Sequence, residues 1–260
     1  MSTYTIKART VQDAPVLGDI DHNRQLAEAC IDSAIDDGVD LLVFPELFLT
    51  GYRIGTLDIE SVVRKVESAI DRLATVASDV TTVIGTVTGD RTDLYNSAVV
   101  LDDGEHIGTY HKTHLYGEEP SVFTEGSSLP VFETTVGSLG VQICYDVEFP
   151  EAARQLTLDG ADVLVTPLAN MRPFSPDQRV FAAARALENV RPHIVCNRIG
   201  QEADLDFFGS SAIVDERGRE VVSAGEDVAV RLTAPVKIRA QGADSLQYLE
   251  DRRPEVYRGE

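Results

Sequence analysis

Apolar residues along this chain repeat with two periods, and the two take turns. Between residues 21 and 37, Leu26, Ala27, Cys30, Ile31, Ala34 and Ile35 recur every three to four positions, the spacing of one helical face. That pattern predicts a helix and assigns Cys30 to its buried side, where cysteine acts as a small hydrophobe. Val62, Val63, Val66, Ile70, Leu73 and Ala77 predict a second helix over 59–77. Short runs rich in Val, Ile and Thr predict strands at 4–9, 41–44, 81–86, 96–101, 106–112, 129–133 and 139–144. The turn Asp102-Asp103-Gly104-Glu105 joins two of them. Helices predicted at 150–159 and 178–190 then alternate with strands at 162–166, 194–199, 210–214 and 228–232.

Two groups of strands with helices between them predict two packed sheets with helices outside. A length of 260 residues with 43% hydrophobic content suffices for one large α/β unit without disulfide or metal staples. That unit is expected over 1–260, with a polar tail from about residue 240, and no repeat or low-complexity segment divides it.

Composition narrows the function classes. Cys30, Cys144 and Cys196 are odd in number and far apart, which fits a reducing cytosol better than a disulfide framework. The first residues lack an apolar signal core and no run approaches a membrane span, so the chain is expected to be cytoplasmic, with no membrane partner. The net charge is −20, from 43 acidic against 23 basic residues, and such a surface repels phosphate backbones. Nucleic-acid binding is therefore not expected. The acids are spread along the chain and only four lysines are present, Lys7, Lys65, Lys112 and Lys237. This balance points to a halophilic origin, where salt screens self-repulsion.

Three segments carry candidate chemistry. In Gly140-Val-Gln-Ile-Cys144-Tyr-Asp-Val-Glu-Phe-Pro-Glu151, a β-branched run delivers a cysteine to a strand-to-helix turn. Backbone N–H groups after such a turn can hold an oxyanion, and the helix start favours a thiolate. In Asp40-Leu-Leu-Val-Phe-Pro45-Glu46-Leu-Phe-Leu, a carboxylate follows a buried strand among large apolar side chains. An acid so placed has a raised pKa and can serve as a base near neutrality. In Tyr110-His-Lys112-Thr-His114-Leu-Tyr116, one of the four lysines ends a strand between two histidines. His111 and His114 read as strand or loop residues with satisfied ring nitrogens, since their spacing lacks a metal-ligand pattern; no metal or cofactor is expected.

Together these segments resemble the nitrilase superfamily of carbon–nitrogen hydrolases, in its amidase-like branch. The resemblance rests on Phe44-Pro45-Glu46, on Lys112-x-His114-Leu115 with Glu119 and Phe123 downstream, and on Cys144-Tyr-Asp-x-x-Phe-Pro-Glu151. It continues through Pro167-Leu-Ala-Asn170, Arg185-Ala-Leu-Glu188-Asn189, Asn197-Arg-x-Gly200, Phe208-Gly-Ser-Ser211 and Asp251-Arg-Arg-Pro-Glu-Val-Tyr257, nearly the whole chain. It implies a four-layer αββα sandwich, a homodimer or higher homo-oligomer paired through helices, and a tail that reaches the partner subunit.

The resemblance also implies roles. Cys144 is the nucleophile, Glu46 the proton carrier, and Lys112 with the Tyr145 backbone N–H the oxyanion donors. Glu119 matches a second glutamate near the lysine, with Glu118 as the competing candidate. Met171 stands where many members carry an aromatic residue, and Glu148 near where carboxylate-binding members carry arginine. The expected substrate is thus a neutral or cationic small amide, unless Arg172 points inward. Tyr52, Tyr145 and Asn170 are further candidates for the substrate wall. A nitrile, an ω-amide or a carbamoyl amide stays open as the substrate, and a catalytically silent dimeric scaffold is the non-enzyme alternative.

Overall fold

The computed structural model describes residues 3–90, 92–239 and 247–257. Strands β1 (Thr3–Gln12), β2 (Leu41–Val43), β3 (Thr81–Gly89), β4 (Leu94–Asp102) and β5 (Glu105–His111) belong to a first sheet. Strands β6 (Val131–Thr134), β7 (Gly137–Val141), β8 (Val163–Leu168) and β9 (His193–Asn197) belong to a second. A separate hairpin follows, β10 (Ile199–Glu202) and β11 (Leu205–Phe208). Then β12 (Ala212–Val214) and β13 (Glu220–Ser223) return to the second sheet, and β14 (Val230–Arg239) to the first. The orders are β14-β1-β2-β3-β4-β5 and β13-β12-β9-β8-β7-β6.

Alternation within single strands creates the layers. In and just after β2, Leu41 and Val43 face the second sheet, whereas Leu42 and Phe44 face the helices α1 (Ile20–Asp36) and α2 (Ile59–Val76). In β8, Val163 and Val165 join the core between the sheets while Leu164 packs under α3 (Pro150–Leu158). Helix α4 (Ser175–Asn189) covers the rest of that outer face through Ala182 and Ala186, and a short α5 (Pro254–Tyr257) is exposed. The result is the αββα sandwich. Each fully buried Leu, Val or Phe contributes roughly 1.5–3 kcal/mol to holding it.

Several predicted boundaries move for local reasons. The strand predicted at 139–144 stops at Val141, because Cys144 adopts φ +43° and opens a 3-10 turn, Cys144–Glu148. The strand predicted at 210–214 begins only at Ala212, since Gly209 and Ser210 both have positive φ. The strand predicted at 228–232 runs on to Arg239, where it borders the sheet and tolerates Pro235. Strands β10, β11 and β13, four residues each, are too short to establish an alternation from which to predict them. Of the expected tail at 240–260, residues 247–257 are described and 240–246 and 258–260 lie outside the described residues.

No helix among the described residues is long and apolar enough to cross a membrane.

Candidate active site

Three strand ends converge. Chain leaving β2 through Phe44 and Pro45 turns at once, with Leu47 at φ +50°. The Gly85 N–H donates to the Pro45 carbonyl at 3.1 Å, so β3 lies directly against this turn. A Cβ on Gly85 would sit 2.5 Å from Glu46 Cα, so only glycine permits that approach. The Glu46 N–H in turn donates to the Leu168 carbonyl of the opposite sheet at 3.3 Å. Lys112 follows β5 and donates its N–H to the Asn96 carbonyl at 2.8 Å.

The side chains meet in the interior. Lys112 Nζ donates to Glu46 Oε1 at 2.8 Å and to Glu119 at 2.9 Å, with exposures of 1%, 0% and 5% for lysine and the two glutamates. Asn96 Nδ2 donates to the same Glu46 Oε1 at 2.7 Å. Glu119 is held by the Tyr52 hydroxyl at 2.9 Å and by the Tyr116 N–H at 2.9 Å. Glu118, by contrast, is exposed and pairs with Arg53 at 3.0 Å. The glutamate that reaches the lysine is Glu119.

Cys144 lies at the floor of a cavity of about 290 Å³, walled by Tyr52, Tyr116, Tyr145, Glu148 and Met171 among others. Its φ of +43° is a conformation that non-glycine residues rarely adopt, and it points the side chain off the end of the strand. Burial, and then the Glu46 carboxylate, push its thiol pKa up; the Lys112 ammonium and the Ala169 N–H oppose them. Burial, with Glu119 adding to it, also raises Glu46, against the pull of Lys112 and Asn96. Burial alone would discharge Lys112, but the two glutamates keep its pKa above the ordinary value. Cys144 thus lies within the field of a Lys112 side chain that is shared between Glu46 and Glu119.

The comparisons with known proteins follow the same line. The carbon–nitrogen hydrolase family pattern matches residues 7–240.

The chain belongs to the carbon–nitrogen hydrolase family.

Its relatives include a nitrilase of Pyrococcus abyssi, 35% identical over 262 residues that cover 97% of this chain and 99% of that protein. An (R)-stereoselective amidase of a Pseudomonas species is 33% identical over 255 residues, covering 95% and 92%. A solved amidase from Nesterenkonia superposes with a TM-score of 0.86 at 29% identity, covering 96% and 94%. In a Glu-to-Gln variant of that amidase, the acetamide moiety of fluoroacetamide is added covalently at the active-site cysteine. This protein is accordingly a carbon–nitrogen hydrolase enzyme with amidase relatives.

Other candidate residues of this hydrolase divide. Tyr145 walls the cavity and packs edge-on against Tyr116 and Phe149, with centroids 5.2 and 5.0 Å away. Met171 walls both this cavity and an adjoining one of about 430 Å³ that reaches Glu119. Asn170 lines the first cavity but spends its side chain on Gln178 and the Met171 N–H. Arg172 lies apart from them: its guanidinium pairs with Asp206, Glu226 and Asp227 at 3.0, 3.1 and 2.6 Å, and it is not among the residues that line either cavity. Three carboxylates offer it more than an apolar wall can.

Two residues of the site escaped the sequence reading. Asn96 is a polar side chain pointing inward from β4, which was its only signal. Asp146 stands in the cysteine segment itself. Its buried carboxylate accepts from the Ile143 N–H, the Tyr110 and Thr113 hydroxyls, and the His114 N–H and ring. It thereby ties the cysteine turn to the chain just beyond Lys112. Among the described residues no group of three or more His, Cys, Asp or Glu is arranged to hold a metal.

Proposed function

We propose that the protein hydrolyses a small non-peptide amide to a carboxylic acid and ammonia through a thioester on Cys144. The observation that carries this reading is the buried Glu46–Lys112–Glu119 cluster, at 2.8 and 2.9 Å, beside a cysteine that opens on a cavity. Covalent addition at the cysteine of the Nesterenkonia relative supports the same nucleophile here.

In this mechanism Glu46 takes the thiol proton as sulfur bonds to the amide carbon. The carbonyl oxygen becomes an oxyanion held by Lys112 Nζ and the Tyr145 N–H. Glu46 then returns the proton to nitrogen, the C–N bond breaks, and ammonia leaves. Water adds to the thioester as Glu46 takes its proton, and the C–S bond breaks to restore the thiol. Splitting one difficult hydrolysis into two acyl transfers is the gain from the nucleophile. Each oxyanion donor is worth about 100- to 1000-fold in rate. Glu46 Oε2 is buried without a partner, which leaves it free for these transfers. Glu119 steadies the ammonium rather than touching the reacting atoms.

The substrate is read as neutral or cationic. Glu148 and Asp177 both line the cavity of Cys144, and among the described residues that line it there is no Lys, Arg or His. A nitrile would meet the same sulfur, so amide and nitrile must be compared directly. The chain is further proposed to act in the cytoplasm, as one hydrolase unit over 1–260, and to pair with a second copy. Val180 and Leu187 on α4 are 65% and 40% exposed and suit such a contact. Light scattering in solution tests the pairing.

The deciding experiment measures ammonia release from small aliphatic and aromatic amides, nitriles and carbamoyl compounds in molar KCl. Cys144→Ala should abolish release while the fold persists, and Cys30→Ala and Cys196→Ala should keep most of it. Wild-type turnover in Cys144→Ala would overturn the mechanism.

A further inference from the structure

Behind the wall formed by Tyr52 lies a second buried ion pair. Arg198 donates to Glu202 Oε2 at 2.8 Å, and the two side chains are 1% and 7% exposed. The other oxygen of Glu202 accepts the backbone N–H groups of Tyr52 and Arg53, at 2.8 and 2.6 Å. Gly51, at φ +78°, makes room for this: a Cβ there would sit 3.1 Å from Glu202 Oε2 and 2.7 Å from Leu17 Cα. The guanidinium of Arg198 also lies 4.2 Å over the Phe207 ring, and Phe207 meets the Tyr52 ring edge-on at 5.7 Å. Tyr52 is thus gripped twice, at its backbone by Glu202 and at its ring by Phe207.

We infer that the Arg198–Glu202 pair is a positioning device for the proposed reaction, fixing Tyr52 so that its hydroxyl holds Glu119 on Lys112. The chain of contacts is continuous: Arg198, Glu202, the Tyr52 peptide, the Tyr52 hydroxyl, Glu119, the Lys112 ammonium. None of its outer members lines the cavity of Cys144. A buried pair of this kind is a weak source of stability against a well-packed apolar alternative. Its geometry here is aimed at one loop, which is where its value lies. Burial, with the Glu119 and Glu46 charges, pushes the Tyr52 pKa up, so its hydroxyl stays a donor throughout the working range.

This inference rests on the amidase reading, and its test separates the two. Glu202→Gln, Tyr52→Phe and the double variant are compared with wild type in the full-length protein. Three quantities are read: kcat and KM for ammonia release from propionamide, the rate of Cys144 alkylation by iodoacetamide between pH 5 and 10, and the thermal midpoint. Each single change should lower kcat about 10- to 100-fold with little change in KM, as expected when a reacting group is displaced by a fraction of an ångström. The double variant should be no more than about threefold worse than the poorer single one, because both cut the same chain. Alkylation should slow in each and its pH midpoint should move. A purely structural role would lower the midpoint temperature alone, leaving kcat within twofold. That outcome, or losses that multiply, overturns the inference. If Glu202→Gln does not fold, Arg198→Lys, which keeps the charge but not the planar fork, carries the same expectations. Should wild type release no ammonia from any amide, the amidase reading falls, and the alkylation data alone decide the inference.

Discussion

Lys112 Nζ bonds one oxygen of Glu46 at 2.8 Å and leaves the other oxygen of that fully buried carboxylate without a partner. The bonded oxygen fixes the side chain, and Asn96 reinforces it on the same atom at 2.7 Å. The unbonded one is the only part of Glu46 free to exchange a proton. An unsatisfied buried carboxylate oxygen costs stability, which makes sense when an incoming thiol proton or water supplies the partner.

Glu46→Gln and Lys112→Met should each lower the rate of ammonia release by several orders of magnitude. The double variant should be little worse than either, because residues that act as a unit lose their joint effect at the first substitution. Single-turnover rates on purified variants check this. Near-normal turnover in either removes that residue from the chemistry.

Glu148 and Asp177 should disfavour an acidic substrate. Two unit charges about 4 Å apart in water repel by about 1 kcal/mol, or roughly fivefold in binding, and the exposure of Glu148 keeps the effect near that value. A neutral short-chain amide should therefore exceed its ω-carboxylate analogue in kcat/KM at low salt. Glu148→Arg should narrow or reverse the ratio, and added KCl should narrow it too. A wild-type preference for the carboxylate would replace this substrate reading with a dicarboxylic monoamide.

Acid should destabilise the protein through His193. Burial lowers its pKa to about 4 from 6.5, and its ring lies between the Thr166 hydroxyl at 2.7 Å and the Ala182 carbonyl at 3.2 Å. The unfolded chain accepts a proton that the folded one refuses. Stability is therefore complete above about pH 6.5 and is lost as pH falls toward 4, about 2 kcal/mol of it between pH 7 and 5. His114 acts in the opposite sense, since its hydrogen bond to Asp146 raises its pKa. Urea titrations at pH 7 and 5 should show a smaller drop for His193→Asn than for wild type. Equal drops would acquit His193.

Salt should stabilise. With a net charge of −20, the acids repel one another over ~30 Å at 0.01 M salt and only ~3 Å at 1 M. The unfolding midpoint should rise steeply into molar KCl if the chain is adapted to a saline cell. A flat profile would discard that origin and leave the enzyme reading untouched.

The layered fold was legible because β2 and β8 are short apolar runs buried on both faces, and apolar residues recur at helical spacing in α1 and α2. Glu46 and Cys144 were legible as candidates because each ends an apolar run with a side chain that such a run does not need for packing, and Lys112 because it is one of four lysines and ends a strand between two histidines. Asn96 and Asp146 were not, since their significance lies in partners 50 and 33 residues away, Glu46 and Thr113. The ion pairs of Arg172 were illegible for the same reason: its acids, at 206, 226 and 227, are neighbours only after folding. Spacing along a chain reports on faces of elements, and says little of what meets across sheets.

Glu46 and Lys112 hang from one sheet and Cys144 from the other, so in the proposed mechanism the gap the proton crosses is set by the thickness of the layer between them. Val43, Val165 and Ile194 fill that layer and are fully buried. They act as shims in a caliper. Trimming one by a methylene lets the jaws close slightly, so a screen for lost turnover should return interior aliphatic positions that never meet the substrate.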